Sequence, residues 1–386
     1  MSTVLFRLRL FYLMTGLSLG MLNPYISTIF IEQGLKRDDV GVIMALSSFL
    51  VIVAQLFWGR LADKYRMTKL ILILSLAVPA GAALLYSIPS VSLMIASYMI
   101  YIAFTAPMAP VSDAYAVTVA NAAGSSYGTV RCFQSIGNAL GGYIAGSFVA
   151  VFAPRFLGMP FLLFVVIGII IIFGFPKQAE IKVKTKSFEH GLKGVLMDKT
   201  VLLFLLSCLL INQTLTAFNT YFVVVFQMAG GSYHMSGIAL MIAAISNVPS
   251  MFLSAYIIRI FGVEKTMLFG AVAYIVRWGL QWMAPIPSVM VGVQVLQGLS
   301  FGLLYVTAVE YMVRIVPEEM RTTGQSILAI VFSGLAGILG NLLNGYLLEA
   351  SGPSAMNFAC TISAAIGALL LIIIIRSEKG RIKHAH

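Results

Sequence analysis

The stretch VRCFQSIGNALGGYIAGSFVAVF, from Val130 to Phe152, contains a single charged residue, Arg131. An apolar run of about 18 residues or more is long enough to cross a lipid bilayer as a helix. Arg131 would then lie in the hydrocarbon region, where a cationic side chain costs about 2.5–3.5 kcal/mol on insertion scales. The stretch therefore predicts a membrane helix, and it marks Arg131 as a candidate functional residue.

The rest of the chain has the same apolar character. Of its 386 residues, 60% are hydrophobic and 10% are charged, and the mean hydropathy is +0.95. A soluble protein carries about 25% charged residues, so soluble enzymes are set aside. The sequence predicts an all-α membrane protein with twelve transmembrane helices, the first of them an uncleaved segment. The predicted helices cover residues 6–31, 39–58, 69–88, 91–119, 126–152, 157–175, 200–228, 234–258, 266–284, 288–313, 322–349 and 354–375.

The basic residues follow this pattern of helices. With the N-terminus in the cytoplasm, most of the 25 Lys and Arg fall on the cytoplasmic side, whereas Lys36, Arg37 and Arg155 fall outside. This is the positive-inside distribution, which sets the topology of a membrane protein. It accounts for the net charge of +11 without a nucleic-acid partner. We expect both termini to be cytoplasmic in a multi-pass protein of the cell membrane, plasma or inner.

The longest polar stretch is lysine-rich and lies in the middle of the chain. It divides the sequence into an N-terminal six-helix half (1–175), a cytoplasmic central loop (176–199), a C-terminal six-helix half (200–376) and a cytoplasmic tail (377–386). A shift of about 197 residues aligns Asp113 with Glu310, which favours two pseudo-symmetric, duplicated halves. The alternative is a chance alignment of two apolar sequences.

The segment between predicted helices 2 and 3 reads GRLADKYRMTK, from Gly59 to Lys69. It resembles the G-x-L-A-D-[RK]-x-G-x-[RK]-[RK] signature of the major facilitator superfamily, with Arg66 in place of the second glycine. The resemblance implies transport rather than enzyme activity, with substrate bound near the midplane between two halves. Gly59, Asp63, Lys64 and Lys69 match the signature and form the expected conformational switch, because charged groups at helix ends can pair in one state and separate in another. A plain positive-inside loop explains the lysines but not Gly59 together with Asp63.

Four ionisable residues fall inside predicted helices: Asp113, Arg131, Arg277 and Glu310. A charged side chain is energetically costly within a membrane, so each of these residues should have an oppositely charged or hydrogen-bonding partner. Asp113 and Arg131 lie at similar depths in consecutive helices, so we expect an ion pair. A purely structural bridge between the two helices is the alternative role. Ser135 and Asn138 continue the Arg131 face at helical spacing, which is typical of a cavity wall.

A narrower resemblance rests on the segment YGTVRCFQSIG, residues 127–137. It is similar to the helix-5 motif of oligosaccharide–proton and nucleoside–proton symporters, the lactose-permease-like branch of the superfamily. Gln134 replaces a glycine of the motif, and Asn138 stands where galactoside transporters have a tryptophan. In that branch a helix-4 carboxylate eighteen residues before the arginine binds substrate with it, and Asp113 has this spacing. The resemblance therefore implies that Asp113 and Arg131 bind substrate.

Proton coupling is also implied by the resemblance, since that branch carries its proton on a helix-10 glutamate. Glu310 lies in predicted helix 10, and Asp113 is a second candidate. A Glu310–Arg314 pair one turn apart at the membrane edge is an equal alternative for Glu310. Further candidates for the substrate cavity are polar residues within apolar helices: Tyr101, Asn212 and Asn219.

These patterns predict a secondary active transporter that takes up a small polar solute with protons by alternating access. An arginine held by a carboxylate can offer its remaining donors to the oxygens of a sugar, a nucleoside or an organic acid. The alternative is a proton-driven drug or metabolite exporter of the same fold. Gly128, Gly137 and Gly141 have the spacing of the exporters' helix-5 motif, but Gly142 replaces its proline.

No group of cysteines and histidines has the spacing of a metal site. We therefore expect no metal, no catalytic residue and no cofactor other than the coupling proton. The expected partners are the solute and the lipid bilayer, and the protein is expected to be a monomer.

Overall fold

The computed structural model describes residues 2–65, 67–122, 127–175, 198–317 and 320–384. Side chains are described for these residues except 2, 63–65, 121–122, 251, 322 and 377–384. Every regular element in these ranges is helical. The predicted central loop, apart from its last residues, lies outside the described residues.

The helices of the first part of the chain are separated by short turns. They are α1 (Ser2–Leu22), α2 (Ile26–Glu32), α3 (Arg37–Tyr65), α4 (Thr68–Leu84), α5 (Val91–Thr105), α6 (Met108–Ala122), α7 (Gly128–Val149) and α8 (Gly158–Phe173). A 3-10 turn at Asn23–Tyr25 separates α1 from α2, because Pro24 lacks the N–H group that would continue the helical ladder. Ser90 caps α5, since its side chain accepts a hydrogen bond from the Leu93 N–H group.

The second part of the chain contains shorter and more interrupted helices. They are α9 (Lys199–Asn212), α10 (Leu215–Asn219), α11 (Phe222–Met228), α12 (Tyr233–Phe261), α13 (Val263–Met283), α14 (Pro287–Gly292), α15 (Leu303–Ile315), α16 (Arg321–Ala329) and α17 (Ala336–His384). Asp198 caps α9 by accepting from the Thr200 and Val201 N–H groups. α17 bends at Gly352, whose φ of 77° lies in the left-handed region that favours glycine.

Several helices that the sequence predicts as continuous are interrupted within the described residues, and 200–228 and 288–313 are two of them. Predicted helix 200–228 consists of α9, α10 and α11 with turns between them. Predicted helix 288–313 contains a 3-10 turn at Val293–Val295 and a π-helical turn at Gly298–Gly302. Irregular backbone at membrane depth is tolerated where it is buried in protein or lines a cavity. Hydrophobicity alone did not predict these breaks because it reports burial rather than the local hydrogen-bond pattern.

Eight segments of the described helices are long and apolar enough to cross a membrane. A ninth is added if the bent pair Tyr233–Ser250 and Phe252–Phe261 counts as one span. α7 and α13 are not among them, and both carry polar residues that lower their mean hydropathy. The chain is therefore an all-α, multi-pass membrane protein.

The helices form two compact units. The first contains Met1–Glu180 and Asn219–Ile245, and the second contains Ile181–Phe218 and Ser246–His386. The predicted domain boundaries at residues 175, 199 and 376 stay a prediction.

In the first unit, α1 packs along α7 and α8. A Cβ atom placed on Gly16 would lie 2.3 Å from the Gln134 carbonyl oxygen, and one on Gly137 would lie 2.3 Å from the Leu13 carbonyl oxygen. Such distances require glycine, so the backbones of α1 and α7 are in direct contact, as is typical of small-residue interfaces in membranes. This contact fixes the position of α7 and of the side chains near its start.

In the second unit, α13 packs against α15 and α17, and α9 packs against α17. Buried polar side chains join these helices. Ser207 Oγ donates to the Gly367 carbonyl oxygen at 2.8 Å, and Asn344 Nδ2 donates to Thr216 Oγ1 at 2.7 Å. Membrane proteins use such interhelical hydrogen bonds because burial of apolar surface does not drive helix association in lipid.

Candidate functional site

The candidate site of the first unit is formed by α6 and α7. Asp113 lies in the second turn of α6, and Arg131 lies in the first turn of α7. Arg131 Nη1 donates to both carboxylate oxygens of Asp113, at 2.6 Å to Oδ1 and 2.8 Å to Oδ2. The predicted ion pair is thus present in the structure.

A third side chain completes this cluster from α1. The Tyr12 hydroxyl group donates to Asp113 Oδ1 at 2.6 Å, and the Tyr12 ring lies 6.0 Å from the Arg131 guanidinium carbon. Tyr12 is 1% exposed, so its position is fixed by the α1–α7 contact. Tyr12 is not among the residues predicted from the sequence, because nothing in an apolar helix marks one tyrosine as the partner of a carboxylate 101 residues away.

The ion pair is only partly buried. The side chains of Arg131 and Asp113 are 40% and 31% exposed. The salt bridge uses Nη1 alone, and a guanidinium carries five N–H donors in all. The arrangement can therefore hold an oxygen-rich solute by charge-assisted hydrogen bonds.

The other predicted residues of the first unit lie around this cluster or apart from it. Ser135 and Asn138 are both partly buried, one and two turns after Arg131, and the Asn138 Oδ1 atom is buried without a hydrogen-bond partner. Tyr101 is buried, and its hydroxyl group donates to Asn23 Oδ1 at 2.7 Å. Tyr101 is therefore hydrogen-bonded to the turn between α1 and α2, and not to the Asp113–Arg131 pair.

Asn212 and Asn219 have different surroundings. Asn212 lies at the end of α9 and is buried, with Nδ2 donating to the Phe332 carbonyl oxygen at 2.6 Å and Oδ1 without a partner. Asn219 is exposed at the end of α10 and belongs to the first unit. The two predicted residues thus belong to different units.

Glu310 forms the ion pair that the sequence analysis gives as its alternative role. Arg314 Nη2 lies 3.0 Å from Glu310 Oε1, one helical turn away on α15. The same guanidinium lies 3.5 Å from Glu264 at the start of α13. Glu310 is 41% exposed, so this network is at a helix end rather than in the core.

The four residues of the predicted conformational switch are described only in part. Gly59 lies within α3, and the Lys69 ammonium group donates to the Phe175 carbonyl oxygen after the end of α8. The side chains of Asp63 and Lys64 lie outside the described residues, so their predicted pairing stays a prediction.

Comparison with known proteins identifies relatives over nearly the whole chain. Residues 5–359 match the model of the MFS_1 like family. The maltose permease of Geobacillus stearothermophilus is 27% identical over 96% of this chain and 94% of that protein. An uncharacterized transporter of Bacillus subtilis (strain 168) is also 27% identical, over 96% of this chain and 93% of that protein. The crystal structure of the nucleoside transporter NupG has the same fold, with a TM-score of 0.79 and 16% identity over 97% of this chain and 98% of that chain.

Proposed function

The chain belongs to the MFS_1-like family of major facilitator transporters, and from this premise we propose that it takes up a small polar solute together with protons by alternating access. A sugar is the leading class of solute, because the maltose permease is similar over nearly the full length of both chains. A nucleoside is the second class, in keeping with the helix-5 motif of residues 127–137.

The observation that carries this proposal is the Asp113–Arg131–Tyr12 cluster. A charged pair inside a membrane segment is energetically costly, and such residues typically mark a functional site. Here the pair is about one third exposed, and the salt bridge engages only one of the three guanidinium nitrogens. Hydroxyl oxygens of a sugar are suitable acceptors for these donors. Ser135 and Asn138 extend the same polar face and are proposed as further contacts. Tyr101, Asn212 and Asn219 stay predicted substrate-binding residues.

The proposed topology has twelve transmembrane helices in two six-helix halves, with both termini in the cytoplasm and the chain in the plasma or inner membrane. Three observations support this count beyond the nine apolar spans. α7 and α13 are each long enough to cross a bilayer although their hydropathy is low. The apolar segment Thr323–Arg376 has 54 residues and bends at Gly352, so it suits two spans.

Proton coupling is proposed to use a carboxylate, either Glu310 or Asp113, and no metal or organic cofactor. Protonation of Asp113 would remove the charge that holds Arg131, which would link the proton to the solute site directly. Glu310 would act through Arg314 instead, since the two side chains are in contact. We propose a monomeric protein whose partners are the solute and the surrounding lipid.

The test is uptake by purified protein in liposomes with an inward proton gradient, with labelled maltose and labelled uridine as probes. We expect one of the two to accumulate and Asp113→Asn and Arg131→Lys to abolish its binding. Lysine keeps the positive charge but loses the planar fork, so loss of binding in Arg131→Lys would show that the geometry of the fork is needed and not the charge alone.

The matched control is Arg259→Lys, the same change at an exposed arginine of α12. It should leave uptake and melting temperature unchanged. Wild-type affinity in a folded Arg131→Lys protein would show that the Asp113–Arg131 pair is only a bridge between helices. Proton-driven efflux of a loaded probe, without uptake, would favour the exporter function instead.

A further inference from the structure

Arg277 is an arginine of the second unit that the proposed mechanism does not use. It lies in the middle of α13 and is fully buried, with an exposed fraction of 0%. Its Nη2 atom donates to Gln294 Oε1 at 2.6 Å, and Gln294 is a neutral amide. Within the described residues, no carboxylate forms a salt bridge with Arg277.

Most of the hydrogen-bonding capacity of this guanidinium is unused. The Nε and Nη1 atoms are buried and have no hydrogen-bond partner among the described residues. The ring of Phe218 lies 4.5 Å from the guanidinium carbon, and the ring of Trp278 lies 5.2 Å away. Aromatic rings at these distances attract a cation. Nε and Nη1 still lack an acceptor, and an unpartnered buried charge is strongly unfavourable.

Other unpartnered polar atoms accompany Arg277. The Tyr274 hydroxyl group, one turn earlier on α13, is buried without a partner. The Oε1 atom of Gln297, one turn after Gln294, is also buried without a partner. Native proteins leave few buried polar atoms unsatisfied, so these atoms require an explanation.

The backbone next to Arg277 is irregular. Gln294 lies in the 3-10 turn Val293–Val295, and the π-helical turn Gly298–Gly302 follows it. Trp278 Nε1 donates to Thr214 Oγ1 at 2.9 Å. Thr214 lies in the break between α9 and α10. Single π-helical turns are frequent at functional sites, and broken helices at membrane depth line polar cavities. Three elements thus depart from regular helix around the unpaired cation.

The geometry points to Arg277 as the binding site of a small anionic group, which is either the carboxylate of the transported solute or a free halide ion. The site deepens the proposed transport function and rests on it. Nε and Nη1 each keep N–H donors that such a group could accept from, and the Tyr274 hydroxyl group lies one turn earlier on α13. The side chain is fully buried in this conformation, so the anion would enter in another conformation of the transport cycle.

Trp278 provides a direct test, because its ring lies against the guanidinium and the chain has only 3 Trp. Trp58→Phe and Trp282→Phe leave Trp278 as the single fluorophore. Sodium iodide, which quenches tryptophan on contact, is titrated at constant ionic strength into this protein in lipid nanodiscs. We expect saturable quenching, since Trp278 is only 2% exposed and free collisions would give a weak, linear response.

Two variants in the same background connect the quenching to Arg277. Arg277→Gln should raise the iodide half-saturation concentration by roughly tenfold or more, since hydrogen bonds to charged groups contribute on that order. Arg259→Gln removes an exposed arginine of α12 and should change nothing. If Arg277→Gln does not fold, the quenching curve of the protein that keeps Arg277 still tests the assignment, because saturable quenching supports an anion site and linear quenching contradicts it. Linear quenching, or saturation that is unchanged in Arg277→Gln, would overturn the assignment.

Competition identifies the source of the anion. D-gluconate and D-glucose differ in a carboxylate, so gluconate should displace iodide and glucose should not if the anion belongs to the solute. Saturation by iodide and chloride without displacement by gluconate would assign the site to a free halide ion. Saturable iodide binding in a protein that transports neither maltose nor uridine would contradict the transport proposal and not the anion site. Uptake that depends on Arg131, without saturable iodide binding, would contradict the anion site alone.

Discussion

Arg131 and Arg277 both lie within helices of a membrane protein, but their surroundings differ. Arg131 has Asp113 at 2.6 Å and is 40% exposed, whereas Arg277 is fully buried beside the amide of Gln294. A cationic side chain at the centre of a membrane helix costs about 2.5–3.5 kcal/mol on insertion scales. The carboxylate compensates this cost for Arg131. For Arg277 the described residues supply only dipoles and aromatic rings, and this difference is the reason that we propose different ligands for the two arginines.

Tyr12 is expected to hold the Asp113 carboxylate in position for Arg131. Tyr12→Phe removes the hydroxyl group that donates to Asp113 Oδ1 at 2.6 Å and leaves the ring in place. A hydrogen bond to a charged group contributes about 1.5–3 kcal/mol, so we expect solute affinity to fall by roughly tenfold or more. The measurement is the dissociation constant of the transported probe, maltose or uridine, for purified protein.

The control for this prediction is Tyr86→Phe. Tyr86 is also fully buried in the first unit, but its hydroxyl group has no hydrogen-bond partner. Its removal should leave affinity unchanged. Equal effects of the two substitutions would show that Tyr12 acts through packing and not through Asp113.

The Asp113–Arg131 pair could be predicted from the sequence because the two residues lie in consecutive helices at similar depths. The rarity of charge in an apolar sequence made both conspicuous. Tyr12 could not be predicted, since it is one of 16 tyrosines and reaches the pair from α1. The sequence also could not predict that Nε and Nη1 of Arg277 lack a hydrogen-bond partner among the described residues, because an absent contact leaves no pattern in a sequence.

At the level of elements, the contact between α1 and α7 positions the candidate site. α1 contributes Tyr12, α7 contributes Arg131, and glycines on both helices bring the backbones together. A packing defect there would displace Tyr12 relative to Arg131. The contact therefore connects the stability of the first unit to solute affinity.

Gly137→Ala is predicted to destabilise the protein. The added Cβ atom would lie 2.3 Å from the Leu13 carbonyl oxygen and 2.8 Å from the Leu17 backbone nitrogen, and backbone atoms cannot move aside as a flexible side chain would. Overpacking of this kind costs about 1–3 kcal/mol. We expect a lower melting temperature in detergent, together with weaker solute binding.

Gly81→Ala provides the matched control for Gly137→Ala. Gly81 lies in α4, and a Cβ atom added there meets nothing within 4 Å. Alanine is favoured over glycine in a helix by roughly 0.5–1 kcal/mol, so this change should leave the melting temperature equal or higher. A melting temperature that is unchanged in both variants would contradict the close approach of α1 and α7.

The sequence predicted helices better than it predicted their interruptions. Long apolar runs located most helices, because a membrane segment must satisfy its own backbone hydrogen bonds. The breaks in 200–228 and 288–313 were missed. A 3-10 or π-helical turn changes hydrogen-bond partners by one residue without changing composition. Pro24 is the exception, since proline removes a donor and its effect can be read directly from the sequence.

At the scale of the whole molecule, basic side chains connect helix ends in each unit. In the first unit, Arg7 and Lys69 donate to the carbonyl oxygens of Gly174 and Phe175, which follow α8. Cations are favourable at helix C-termini because these carry partial negative charge. Such contacts can break and re-form as a transporter changes conformation.

In the second unit, Arg314 lies between two carboxylates, and this arrangement allows proton coupling to be tested separately from gating. Glu310 is 3.0 Å from Arg314, and Glu264 is 3.5 Å from it. Substitution of either glutamate by glutamine keeps the shape but removes one negative charge from the arginine. If the charge network forms a gate, both substitutions should impair transport. If Glu310 carries the proton, only the substitution of Glu310 should do so.

Glu310→Gln is predicted to stop accumulation driven by a proton gradient while it preserves exchange of labelled for unlabelled solute. Glutamine cannot bind and release a proton, and exchange requires the binding site and the conformational change but no net proton movement. Counterflow and gradient-driven uptake are measured in the same liposomes, with Glu264→Gln as the matched control that should retain both activities. Retained accumulation in Glu310→Gln would assign the proton to Asp113. Equal loss of both activities in the two variants would instead show that Arg314 and its partners form a gate.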